Sequence, residues 1–164
     1  MAQRRGISNV VATIILIAVA IALAVAVAIW VFGLFRSSAH AGTLNAISED
    51  LYITSSANYL VLYVSNPTGT TQNIVSVTLG GASCSFQGAS TSSPVSSAGV
   101  STGTATTDGI TGTVNGQVAI AGGTFAYLVY TCSGSYTPGV QYSGTIYLST
   151  GTSIPFTVTA QALS

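Results

Sequence analysis

Two hydrophobic patterns divide the chain. From Val10 to Phe35 no side chain is charged, and only Thr13 and the indole of Trp30 carry polar atoms. The run is about 26 residues long, whereas about 20 helical residues cross a bilayer and the apolar part of a secretory signal spans about 7 to 15. It therefore predicts a transmembrane helix. The stretch AVAIALAVAVAI from Ala18 to Ile29 alternates like a strand, but a lone strand in lipid would leave its backbone groups unsatisfied. No proline interrupts the continuation SSAHAGTLNAISEDL, so the helix is expected to run from 7 to about 48, with Gly33 and Gly42 as points where it can bend.

Beyond residue 48 the pattern changes to short segments rich in Val, Ile, Tyr, Phe and Thr. Tyr59 to Val64 (YLVLYV) is expected as a buried strand, with a turn at NPTG (66 to 69) and a second strand at NIVSVTL (73 to 79). Further strands are expected at Gly116 to Ile120, Phe125 to Cys132, Gln141 to Leu148 and Ile154 to Thr159. Such spacing, with Gly-rich turns between, indicates a β-sandwich. The Ser/Thr/Gly tract from Gly88 to Asn115 allows either one or two edge strands or a long loop. The organisation expected is thus a short leader (1–6), a helix (7–48) and a β-sandwich (49–164).

Composition narrows the function. Of 164 residues only 4% are charged, three basic and three acidic. The chain has no basic patch to neutralise phosphates, so nucleic acid is not an expected partner. One histidine (His40), two cysteines and three acidic residues offer no metal-ligand spacing and no nucleophile–base arrangement. No catalytic residue, metal or cofactor is expected, and the protein is not read as an enzyme. Ser and Thr make up about a quarter of the chain and supply the polarity that charge elsewhere provides.

Arg4 and Arg5 stand before the apolar run, which orients the N-terminus to the cytoplasm and places the β region outside. Wound at about 100° per residue, the alternation becomes two stripes of small residues. Ala18, Ala22 and Ala26 share one side, and Ala20, Ala24 and Ala28 a nearly opposite one, with Val, Ile and Leu between. Such grooves let helices approach closely, so each helix has a packing surface for neighbours on two sides.

The segment RRGISNVVATIILIAVAIALAVAVAIWVFG resembles the N-terminus of archaeal type IV pilins, where a basic stretch and a small residue precede an apolar helix. The resemblance implies cleavage by a membrane-embedded prepilin peptidase recognising Arg4, Arg5 and Gly6, with Ile7 as the mature N-terminus. Removing both arginines lets the helix enter a dry core without buried charge. Bacterial pilins carry a glutamate at the fifth mature position, where this chain has Val11. Any assembly step that needs that carboxylate is therefore missing here. LYVSNPTGTTQNIVSVTLGG is similar to the immunoglobulin-like domains of archaeal pilins and archaellins. The fold class implied is α+β: a long N-terminal apolar α-helix followed by an immunoglobulin-like antiparallel β-sandwich. The function implied is that of a major pilin in an adhesive surface filament. Its partners would be identical subunits in a helical array, the prepilin peptidase, the assembly machinery and, before assembly, the cytoplasmic membrane. An archaellin-type filament subunit and a monomeric membrane-anchored binding module are the alternatives.

Two further expectations concern the exterior region. Cys84 and Cys132 lie where oxidising conditions favour pairing, the alternative being two buried small hydrophobes. The only Asn-x-Ser/Thr match, Asn66-Pro67-Thr68, is excluded as an N-glycosylation acceptor by its proline. The tract carrying Ser90, Thr91, Ser92, Ser93, Thr102, Thr104, Thr106 and Thr107 is open to O-linked sugar, the alternative being an unmodified polar loop.

Overall fold

The computed structural model describes the backbone of residues 2–40 and 43–163 and the side chains of residues 7–33 and 43–163. It divides into two compact units, Met1–Ala41 and Gly42–Ser164. The first is a single helix, α1 (Ala2–His40). It has no proline and is built largely from Ala, Leu, Ile and Val; an uninterrupted apolar run satisfies its backbone most simply as a helix.

The helix does not reach residue 48 as its sequence suggested. NAISEDLYI forms β1 (Asn45–Ile53), which pairs antiparallel with β2 (Asn58–Ser65) from Asn45 opposite Ser65 to Ile53 opposite Asn58. The weak helical preference of this stretch yields to long-range pairing that buries Leu51 completely. Glu49 and Asp50, adjacent in this strand, consequently lie on its opposite faces.

The β unit continues with β3 (Gln72–Leu79), β4 (Ala82–Ser90), β5 (Val95–Ser96) and β6 (Gly99–Val100). After these come β7 (Thr106–Thr107), β8 (Ile110–Gly112) and β9 (Val118–Ile120). Three long strands complete it: β10 (Phe125–Cys132), β11 (Gln141–Leu148) and β12 (Ser153–Ala162). The main sheet runs β11-β12-β1-β2-β10-β4-β3-β9-β8-β7, and a further pairing of β11 with β3 closes it on itself. The domain is therefore barrel-like, where two stacked sheets were expected. It is also not purely antiparallel, because β1 meets β12 in parallel at Leu51–Ile53 and Ala160–Ala162. Closure follows from β3, which pairs with β11 through residues 74–79 and with β4 at 77–79 and β9 at 72–74. A strand shared in this way leaves no second sheet to stack.

Inward residues of successive strands fill the barrel. Leu51, Leu60, Leu62, Ile74, Val77, Leu79, Phe86, Leu128 and Ile146 all belong to this core. The β3–β4 hairpin turns on Gly80 and Gly81, both at positive φ (60° and 82°), as a two-residue turn matched to strand twist requires. At the NPTG turn Asn66 is wholly buried. Its Nδ2 donates to the carbonyls of Thr70 and Ile120 (2.8 Å each), and its Oδ1 accepts from the Thr68 amide (3.1 Å). Asn66 thus has a structural task inside the domain, apart from the proline that excludes it as a sugar acceptor.

The Ser/Thr-rich tract is structured. β5 and β6 form a separate hairpin, while β7 and β8 extend the main sheet. Val61 and Val129 alternate with core residues and so point outward, yet both are buried. The chain near Thr102 covers this face: Gly88, opposite Val129, abuts the Thr102 carbonyl so closely that any Cβ there would strike it. Ala89 and Thr104 exchange backbone hydrogen bonds (2.7 and 3.1 Å).

Candidate assembly interface

The side chains of the helix from Ile7 to Gly33 are exposed. Ile7 is 65% accessible, Trp30 67% and Phe32 73%. These 27 residues are long and apolar enough to cross a membrane. They are apolar on every side, which sets this helix apart from an amphipathic one lying in a membrane surface. The polar atoms it does carry are partly dealt with internally, since Thr13 Oγ1 donates to the Asn9 carbonyl at 2.8 Å. A hydroxyl bonded to its own helix can enter either lipid or a dry protein core without an unmet donor.

The helical geometry of Ala2–His40 places Ala18, Ala22 and Ala26 on one stripe and Ala20, Ala24 and Ala28 on the nearly opposite one. All six are exposed. They lie between larger exposed residues, among them Val19, Ile21, Leu23, Val25 and Val27. The result is two shallow grooves bounded by aliphatic ridges. Of the residues around the expected cleavage point, Ile7 belongs to this exposed surface, while Arg4, Arg5 and Gly6 lie outside the residues whose side chains are described.

In the β unit, Cys84 and Cys132 sit directly opposite one another on β4 and β10 and form a disulfide with a Cα–Cα distance of 4.1 Å. The bridge spans 48 residues and joins neighbouring strands of the same sheet, two residues along from the paired rings of Phe86 and Tyr130 (centroids 5.6 Å apart). Of the serines and threonines considered for O-linked sugar, Thr91, Ser92, Ser93, Thr102, Thr104 and Thr106 are exposed, whereas Ser90 and Thr107 are half-buried. Thr104 Oγ1 donates to the Thr106 carbonyl (2.8 Å).

Two features had no clear signal in the sequence. The buried cluster of Asn66, Thr68 and Gln72 is announced only by turn residues that usually face solvent. Tyr130 lies within an apolar strand, and its hydroxyl is buried with no hydrogen-bond partner among the described residues. Burial raises the pKa of that phenol far above its ordinary value. Glu49 also titrates above its ordinary value, first through partial burial and second through the neighbouring Asp50 charge. Among the described residues no three His, Cys, Asp or Glu side chains come together. The chain matches no protein-family model, and no curated protein sequence is significantly similar to it.

Proposed function

We propose that this protein is the structural subunit of an extracellular filament of the archaeal type IV pilus kind, polymerised through its N-terminal helix. The observation that carries the proposal is a 27-residue helix apolar on all sides, grooved on two of them, in a chain whose β unit already buries its own core. Such a helix must be covered by lipid or protein, and opposed small-residue grooves suit a bundle in which each helix touches several copies of itself. Before assembly it would span the cytoplasmic membrane with its arginines inside. After cleavage before Ile7 it would pass into the filament core, leaving the β domain outside as the counterpart of an immunoglobulin-like outer domain. The work is adhesive and structural, without a catalytic step, and exposed threonines and serines of the 90–107 tract are the places for O-linked sugar.

The length of the helix also suits a permanent anchor for a monomeric surface module, and an archaellin-type filament would use the same helix packing. Electron microscopy of cell-surface material, joined to N-terminal sequencing of the subunit, separates these readings. Filaments whose subunit begins at Ile7 support the proposal. Recovery of the chain only from membranes, with Arg4 and Arg5 still attached, overturns it in favour of the anchor.

A further inference from the structure

Three stretches far apart in the chain meet at the end of the β unit remote from Asn45, where β1 begins. The turn between β1 and β2, the tip of the β5–β6 hairpin and Leu163 together line a pocket of about 370 Å³. It lies about 25 Å along β1 from Asn45, since each residue of this strand rises about 3.3 Å. The β5–β6 hairpin forms a sheet of its own, and its tip supplies one wall of the pocket.

Each wall is fixed by the chain's own hydrogen bonds. Thr54 Oγ1 donates to the Ala57 carbonyl (2.9 Å) and accepts from the amides of Ala57 (3.1 Å) and Ser56 (3.3 Å). This closes the turn with Ser55 and Ser56 at its tip. In the hairpin Val95 pairs with Val100 and Ser96 with Gly99, and the Ser101 amide donates to the Pro94 carbonyl (2.8 Å). The Leu163 amide donates to the Ile53 carbonyl (2.9 Å).

The groups around the pocket are open to solvent. Ser55, Ser56 and Ala98 are exposed, while Tyr59, Val100 and Leu163 are half-buried. Tyr59 lies on the outer face of β2, because its neighbour Leu60 belongs to the core. The hydroxyls of Ser55 and Tyr59 make no hydrogen bond among the described residues, and neither is buried. Spare hydroxyls that both donate and accept therefore stand beside an aromatic ring and two aliphatic side chains. No Asp, Glu, Lys, Arg or His lines the pocket.

We infer that this pocket binds a neutral sugar one or two rings long. Its volume lies at the lower end of the roughly 300–1,000 Å³ of small-molecule sites. A sugar ring presents apolar C–H faces, which Tyr59, Val100 and Leu163 can cover, and hydroxyls, which Ser55, Ser56 and the Tyr59 phenol can meet as donors or acceptors. A charged ligand would find no counter-charge there. The inference gives the adhesive role proposed above a ligand class, yet it stands or falls apart from polymerisation, because every residue it uses belongs to the β unit.

The test uses the full chain in dodecylphosphocholine micelles, whose headgroup carries no sugar. Methyl α-glucoside, methyl α-mannoside, methyl α-galactoside and maltose are titrated in turn and followed by amide chemical shifts, with cyclohexylmethanol as an apolar control. The expected result is saturable shifts confined to residues 54–59, 98–100 and 163 for at least one sugar, with millimolar affinity. Tyr59→Phe and Ser55→Ala each remove one unpartnered hydroxyl and should weaken that affinity about threefold to tenfold. Ala98→Trp places an indole at the exposed rim and should abolish binding, while the melting temperature of the β unit stays as it was. Absence of saturable shifts with all four sugars, an equal response to cyclohexylmethanol, or sugar affinity unchanged in all three variants would each overturn the inference.

Discussion

The helix and the β unit solve the same physical problem in opposite ways. The β unit buries its apolar residues against one another: Leu51, Leu60, Leu62, Leu79, Leu128 and Ile146 are completely inaccessible. It satisfies its strand edges by closing the sheet and adds a covalent bridge between neighbouring strands. The helix satisfies its backbone internally and leaves every large apolar side chain from Ile7 to Phe32 outside. One region is complete as a folded object, and the other is defined by what must cover it. With so few charges in the chain, the β unit takes most of its polarity from Ser, Thr, Asn and Gln.

The largest effect should come from separating the regions. A chain beginning at residue 43 is expected to be soluble, monomeric and cooperatively melting, whereas the full chain stays with membranes through carbonate washing. An insoluble or unfolded product from residues 43–164 would show that the β unit is not self-sufficient. Under the proposed function, Ala22→Trp and Ala24→Trp should each abolish filaments seen by electron microscopy, since an indole overfills a packed groove. Membrane insertion and the melting of the β unit should stay as they were. Normal filaments from both variants would remove the grooves from the assembly mechanism.

Two smaller effects test the self-sufficiency of the β unit. Replacing Cys84 and Cys132 together by serine should lower stability by about 4 kcal/mol in the loop-entropy account, or about 15 °C in melting temperature, without altering membrane partitioning of the helix. A loss under about 1 kcal/mol would mean that closure of the barrel alone sustains the domain. Glu49 gives the smallest effect. Its folded pKa is raised, by partial burial and then by Asp50, so the folded state holds this proton more tightly than the unfolded one. The stability it contributes is complete below the ordinary value of 4.5 and is lost as pH rises through the raised folded value. Melting temperature should therefore fall slightly with rising pH across the acidic range, and Glu49→Gln should flatten that slope.

Much of this molecule follows from local pattern. An apolar run free of proline and longer than a bilayer is thick has one economical backbone solution, so α1 was legible, as were its two alanine stripes. The long strands β2, β3, β10, β11 and β12 were legible because Val, Ile, Tyr and Thr cluster there between Gly-rich turns. What escaped the sequence depends on partners far along the chain. The first half of β1, Asn45 to Ser48, looked helical because it continues the helix without a proline and gains strand character only from pairing with β2. β4 (ASCSFQGAS) is made of small and polar residues whose place is fixed by β10 on one edge and a short hairpin with β3 on the other. Barrel closure rests on β3 pairing with β11, two segments about 70 residues apart, a contact whose loop-closure cost no local pattern announces. The burial of the Tyr130 hydroxyl belongs to the same class. Sequence alone determined which atoms each segment would have to hide, because hydrophobicity and period are properties of neighbours in the chain. Only the tertiary structure decided where the sheet closes and which polar groups end up buried inside it, because those outcomes depend on which distant backbone edges meet.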